Sequence, residues 1–229
     1  MAFTYKYARP ALTADCVIFG LNDDDLKVLL IQRKFDPFAG LWAFPGGFAN
    51  VGESLEHTAR RELEEETGIK NLALEQLHTF SDPDRDPREH VVTVVYYALV
   101  NLYEHNLQAS SDASNAEWFE IHNIPHLAFD HDLILKLACE RLYETIRYRP
   151  IGFDLLPPKF TLRQLRNMYE KILYRKLDKS NFRKKILQTG IIEKLDEIET
   201  GVTHRPARLY RFDKKRYDRM VEKGFNFDI

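Results

Sequence analysis

The stretch that most limits what this chain can become is Gly46-Gly47-Phe48-Ala49-Asn50-Val51-Gly52-Glu53-Ser54, followed by a run from Leu55 to Thr67 with neither Pro nor Gly, and then Gly68-Ile69. A glycine-rich turn feeding an uninterrupted run that stops at a glycine reads as one short helix with a C-terminal glycine cap. Leu55, Ala59 and Leu63 recur every fourth residue and form a core-facing stripe. Glu62, Glu65 and Glu66, three and four apart, are neighbours on another side. Like charges at that spacing repel, and a divalent cation relieves the repulsion. Hard oxygen donors without His or Cys select Mg²⁺ or Mn²⁺ over Zn²⁺, and Mg²⁺ is usually shared between one or two carboxylates and substrate phosphates. The expected ligand is therefore phosphorylated. A solvated Glu-rich surface is the alternative for such a run taken alone.

Before this stretch, residues 11–20 and 26–33 are β-rich runs separated by Asn22-Asp23-Asp24-Asp25, which is turn chemistry and predicts a hairpin. Arg33 and Lys34 at its end either face the mouth of a phosphate site or form a solvated pair. After it, residues 72–80 and 90–100 read as strands. Between them Ser81-Asp82-Pro83-Asp84-Arg85-Asp86-Pro87-Arg88-Glu89 carries two prolines, so Arg85 and Arg88 sit on a stiff loop. Arginine pairs bidentately with phosphate, which suits this loop to a diphosphate; internal Asp–Arg pairing is the competing reading. Residues 101–116 are polar and read as a loop. Asp130 is the expected N-cap of a helix on which Leu133, Ile134, Leu137, Ala138, Leu142 and Ile146 recur at helical spacing. His131 reads as a switch or ligand, or simply as a capping residue.

Pro150 to Phe160 holds three prolines and a glycine and is the expected linker between a domain at 1–149 and a second at 161–229. Residues 1–150 carry 14 Lys and Arg against 24 Asp and Glu, a net of −10, while 151–229 carry 19 against 11, a net of +8. A basic domain in an otherwise acidic chain points to nucleic acid. Thr161-Leu-Arg-Gln164 is a capping box opening one helix, and Asp178 caps another that Gly190 stops. Two strands follow, 191–195 and 207–212, completing a winged helix-turn-helix. Lys179, Asn181, Arg183, Lys184, Lys185 and Gln188 on the second helix, with Arg205 and Arg208 in the wing, are the expected DNA contacts: Asn and Gln suit adenine, Lys and Arg suit guanine or phosphate. A plain protein-interaction module is the other use of such a fold. Cys16 and Cys139 are far apart and read as small buried hydrophobes, supporting neither a disulfide framework nor a zinc site. No apolar run reaches membrane-spanning length, and the cytoplasm is the expected location.

The spacing of Gly47, Glu53, Arg61-Glu62-Leu63, Glu65-Glu66 and Gly68-Ile69 resembles the Nudix signature at every fixed position. That resemblance implies an α/β/α sandwich with a mixed sheet and hydrolysis of nucleoside diphosphates linked to another moiety. It implies Glu65 and Glu66 as principal metal ligands, Glu62 as a further ligand or catalytic base, the Gly46 carbonyl as a ligand, Arg61 as an ion-pair partner, and Glu53 as a support for the loop. Asp112 and Glu117 fall where Nudix enzymes often place an extra acidic residue. Joined to Phe160-Thr-Leu-Arg-Gln-Leu, Lys179-Ser-Asn-Phe-Arg-Lys-Lys and Arg205-Pro-Ala-Arg-Leu-Tyr-Arg-Phe, the whole chain resembles the bacterial Nudix-related transcriptional regulators of NrtR type. These are dimers on palindromic operators whose Nudix domain responds to ADP-ribose or, in relatives, to sugars. Many have a degraded signature, whereas every position is present here, so a Mg²⁺-dependent pyrophosphatase with an accessory domain is the alternative.

Overall fold

The computed structural model describes residues 7–21, 25–102, 113–203 and 205–225. It contains two compact units: Met1–Gly20 with Lys27–Cys139, and Leu21–Leu26 with Glu140–Ile229.

In the first unit β1 (Ala11–Leu21) and β2 (Leu26–Arg33) are neighbours in one sheet, as the two β-rich runs predict, although most of the turn between them lies outside the described residues. Then come β3 (Trp42–Ala43), β4 (Gly46–Phe48), the helix α1 (Leu55–Thr67), β5 (Glu75–Phe80), β6 (Val91–Asn101) and β7 (Ala113–Glu120). The sheet runs β3-β2-β1-β6-β5, with β4 antiparallel to β1 and β7 antiparallel to β2. An isolated parallel bridge from Trp42 to Leu127 makes it mixed. Alternation along β1 sends Ala14, Cys16 and Ile18 to one face, where they meet Ala59 and Leu63 of α1 with Val94, Tyr96 and Ala98 of β6. The stripe of Leu55, Ala59 and Leu63 on α1 is thus the inward face.

One expectation fails here. Residues 113–116 are not loop: they open β7, whose Ala116 and Asn115 pair with Ile31 and Gln32. Ser, Asn and Asp give no local β signal, and the edge of β2 supplies the hydrogen bonds that local propensity does not. The helix α2 (His131–Tyr148) follows, with Ile134, Ala138, Leu142 and Ile146 fully buried at the expected spacing. Asp130 does not cap it through its side chain. Its carbonyl accepts from the amides of Leu133 and Ile134, and its carboxylate goes elsewhere.

In the second unit a 3-10 helix (Ile151–Leu155) occupies the proline-rich stretch, and Phe153 stacks on Phe212 with ring centroids 4.4 Å apart and lies 5.5 Å from Phe160. Apolar residues between the prolines therefore join the second core. β8 (Phe160–Thr161), α3 (Leu162–Ile172), α4 (Lys179–Thr189), β9 (Ile192–Ile198), β10 (Arg208–Phe212) and α5 (Lys214–Val221) complete the unit, with β8-β10-β9 forming a three-stranded sheet. The capping box at Thr161 is present, with the Gln164 amide donating to Thr161 Oγ1 at 3.2 Å and the Thr161 amide to Gln164 Oε1 at 2.8 Å. Asp178 caps α4 and Gly190 ends it with φ 67°. The helix α5 has no fully buried residue, but Tyr217, Met220 and Val221 recur at helical spacing behind the Asp213 cap and were the available signal for it.

Tyr169 of α3 is fully buried against Phe182, and among the described residues its hydroxyl has no hydrogen-bond partner. An unpaired buried hydroxyl costs about 1–3 kcal/mol. Tyr169→Phe removes it without changing the ring, so the variant should melt a few degrees above wild type in a calorimetric scan; a lower melting temperature would show that the hydroxyl is satisfied.

Candidate functional site

Ser54 accepts from the His57 amide and Gly68, at φ 76°, closes α1, so the helix is fixed at both ends over β4. Arg61 then reaches across the turn. Its Nε donates to Glu53 Oε1 at 2.9 Å, its Nη2 to Glu53 Oε2 and to the Phe48 carbonyl at 3.1 Å, and its Nη1 to Glu62 Oε1 at 2.7 Å and Glu65 Oε2 at 3.1 Å. Glu53 also accepts from the Asn50 amide and Thr58 Oγ1, which ties the loop to the helix as expected of a supporting residue. The Arg61 guanidinium holds the Glu53 carboxyl at about 2, below the usual carboxylate range.

Glu66 is buried and its Oε2 accepts from the Gly46 amide at 2.9 Å; burial pushes its pKa up to about 8. Glu62 is raised as well, again by burial first. Its carboxylate lies so close to the next glycine that a Cβ at Gly47 would come within 2.5 Å of it. Glu65 is the exposed member of the three. Gly46, whose carbonyl the resemblance offers as a ligand, is engaged through its N–H.

These residues suit a hard cation in kind: every donor is an oxygen, and Glu62 and Glu66 lie against consecutive glycines. Among the described residues no group of three acidic, His or Cys side chains is arranged to hold a metal alone. A bound ion would draw the rest of its shell from a ligand's phosphates, and Arg61 meanwhile provides the positive charge.

Beside the glutamates a cavity of about 150 Å³ is lined by Asp15, Arg33, Glu66, Arg85, Arg88 and His131 among others. A wider recess of about 420 Å³ includes Lys34, Phe35, Arg61 and Glu62 and shares Arg33, Phe48 and Glu66 with it. The three arginines singled out in the sequence do converge. Their engagements differ. Arg85, with a side chain only 4% exposed, binds Asp130 through two hydrogen bonds of 2.9 and 2.6 Å. Arg88 binds Asp86 in the same way, at 3.0 and 2.7 Å. Internal Asp–Arg pairing therefore describes both. Arg33 donates to the carbonyls of Pro37 and Phe35, and among the described residues no carboxylate pairs with it. It is the cation left for an anionic ligand.

Glu117 is exposed on β7, accepts from the Asn115 amide group and lines neither cavity; Asp112 lies outside the described residues. Sequence reasoning missed Asp15, which is buried, accepts from Thr93 Oγ1 at 2.6 Å and is pushed up to about 6 by burial. An aspartate inside the apolar run Ala-Leu-Thr-Ala-Asp-Cys-Val-Ile was the available signal. His131 is neither switch nor cap: it is buried, stacks on Phe44, and its Nδ1 accepts from the Phe44 amide at 3.0 Å.

In the second unit Phe182 and Ile186 turn inward from α4, and at 100° per residue Asn181, Lys184 and Gln188 lie on the side away from them. Lys179 and Arg183 instead line a 350 Å³ cavity with Arg205 and Arg208 of the wing and with Arg163 and Arg166 of α3, two cations that the sequence reading left out. Arg163 pairs with Glu199, Arg166 lies 3.5 Å from Glu170, and Arg208 lies 3.5 Å from Asp196. Among the described residues Lys179, Arg183, Lys184, Lys185 and Arg205 have no ion-pair partner, and all are exposed.

The fold and these two sites define a class: a Nudix domain joined to a basic winged helix. Residues 10–137 match the NUDIX domain family and residues 152–212 the NrtR DNA-binding winged helix domain. The chain belongs to the Nudix family and, within it, to the NrtR-type regulators. It is 39% identical over 227 residues to the ADPR responsive transcriptional repressor NtrR of Acinetobacter baylyi, covering 96% of this chain and 87% of that protein. It resembles the crystal structure of Shewanella oneidensis NrtR complexed with a 27mer DNA at a TM-score of 0.77 and 33% identity, covering 94% of this chain and 97% of that one. The NUDIX domain of the same Shewanella protein, complexed with ADP ribose, matches at a TM-score of 0.56 and 40% identity, covering 59% of this chain and 90% of that one. Hydrolases of the Nudix family generally use a divalent metal. No described helix is long and apolar enough to cross a membrane.

Burial lowers the His131 pKa from 6.5 to about 3, and protonating Nδ1 would also break its bond from Phe44. Between those values the unfolded chain binds a proton that the folded chain refuses, so stability falls as pH drops through that window. His131→Asn keeps an acceptor that does not titrate. Its melting temperature should fall less steeply than that of wild type between about pH 7 and pH 4, and parallel curves would remove His131 from the acid response.

Proposed function

We propose that this protein is a transcriptional repressor that binds operator DNA through α4 and the wing and releases it when an ADP-ribose-like nucleotide enters the Nudix cleft. The observation that carries the reading is the set of exposed cations Lys179, Arg183, Lys184, Lys185 and Arg205 on a winged helix, none of which has an ion-pair partner among the described residues. Asn181, Lys184 and Gln188 face outward where base edges would lie, while Lys179, Arg183, Arg205 and Arg208 flank them and suit phosphates. The similarity to Shewanella oneidensis NrtR, whose structure is complexed with a 27mer DNA, supports the reading. Arg33, lacking a carboxylate, favours a phosphorylated effector over a neutral sugar. The ADPR-responsive relative and the Nudix domain bound to ADP ribose support that choice. Control follows by linkage: the effector changes operator affinity only as far as it prefers one state of the regulator over another. The chain acts as a homodimer on a palindromic operator, in the cytoplasm.

In a mobility-shift titration against upstream DNA of its own operon, ADP-ribose should release the complex. Arg183→Ala should weaken binding and reduce the slope of log K against log salt by about one unit. Binding that is equal on unrelated DNA at physiological salt would remove the regulator reading.

The complete glutamate set supports a second activity, hydrolysis of the effector. Glu62 and Glu66 would hold Mg²⁺ or Mn²⁺ with Glu65 as a further ligand, and the ion would neutralise the diphosphate and lower the pKa of the attacking water. Arg61 orients Glu62 and Glu65 from a position that Glu53 fixes, and Glu62 accepts the proton of the water. With ADP-ribose and Mg²⁺, wild type should release AMP, and Glu66→Gln should lower the rate at least about a hundredfold. An inert wild type leaves sensing alone.

A further inference from the structure

We propose that Phe48 and Phe129 form a stacking slot for the planar base of the nucleotide effector, and that the Arg88 guanidinium holds this slot until the ligand arrives. The inference rests on the nucleotide reading above and adds the part of the molecule that the site recognises.

Three observations lead to it. The Arg88 guanidinium lies over both rings, 5.0 Å from the Phe48 centroid and 5.5 Å from that of Phe129. A guanidinium is flat and delocalised, as a heteroaromatic base is, and both use the same aromatic faces. Second, Phe129 and Phe38, whose rings meet edge to face at 4.8 Å, have φ of 55° and 66°. Bulky residues seldom adopt left-handed φ, and such strain gathers where a side chain must be held in place for a ligand. Third, Arg33 also lies over Phe129, 4.7 Å from its centroid, so two guanidiniums share one ring. Their mutual repulsion contributes to the lowered pKa of Arg33, after burial.

Space decides which group moves. The cavity holding Arg33, Arg88 and Phe129 is about 150 Å³. Nucleotide-sized ligands occupy about 300 Å³ or more. Arg85 is clamped with a side chain 4% exposed, whereas Arg88 is 37% exposed. Arg88 is the residue that can swing. An entering diphosphate draws Arg88 and Arg33 together, which removes their repulsion and uncovers the ring faces for the base.

The test is calorimetric titration of the full chain with ADP-ribose, comparing wild type, Phe129→Leu and Phe129→Tyr. Leu keeps apolar bulk without an aromatic face, and Tyr keeps the face. Binding should be about tenfold weaker in Phe129→Leu and within about twofold of wild type in Phe129→Tyr, with melting temperatures of the free variants unchanged. Equal affinity in all three overturns the slot, and so does equal loss in both variants, which would mean packing rather than stacking. A wild type indifferent to ADP-ribose overturns the effector reading, and ADP-glucose and UDP-glucose then decide the slot by the same comparison. Silence with all three ligands overturns both.

Discussion

The first unit depends on one guanidinium. Glu53, Glu62 and Glu65 would repel one another across the turn between β4 and α1, and Arg61 meets all three while also holding the Phe48 carbonyl. Without that cation the loop has no electrostatic reason to fold back on the helix. With it, Phe48 is fixed at the cavity mouth, Glu62 lies against Gly47, and Glu66 is pressed into the interior, where the Gly46 amide is its donor. The loop, the acidic row and the wall of the ligand cleft therefore stand or fall together.

Charge is handled in opposite ways in the two units. In the first, cations and carboxylates alternate around a cavity: Arg85 with Asp130, Arg88 with Asp86, and Arg33 held by backbone carbonyls and the face of Phe129. The Arg85 pairing is buried, whereas that of Arg88 is partly open to solvent. In the second, Lys179, Arg183, Lys184 and Lys185 of α4 and Arg205 of the wing are exposed and, among the described residues, have no ion-pair partner, a form suited to a salt-sensitive contact with a polyanion. One unit is built for a small anion in a confined place and the other for a long anion on an open surface.

The Nudix helix, its C-terminal glycine cap, the acidic row, the capping box at Thr161 and the basic helix were legible because each is a local pattern, complete within a few residues. Arg85 and Arg88 were legible as cations on a stiff loop, with internal Asp–Arg pairing as the competing reading that Arg88 and Asp86 adopt; that Arg85 takes Asp130 was not legible, since Asp130 is distant in sequence. β7 was missed because its hydrogen bonds come from β2, and α5 was left out although Tyr217, Met220 and Val221 recur at helical spacing. Asp15 could have been found as a charge in an apolar strand. His131 could not, because only the Phe44 amide, far along the chain, explains its buried neutral ring.

The amino-acid order alone determined the Nudix helix, the identity of its carboxylates and the placement of positive charge on the second half, because helical spacing and turn chemistry act over short distances; the division into compact units at Cys139 and Glu140 was not among them. Tertiary structure alone decided which cations remain free, which glutamate is buried, and which aromatic rings face the cleft. Those outcomes depend on desolvation and on partners brought together by the sheet, and neither is written in any single stretch of the chain.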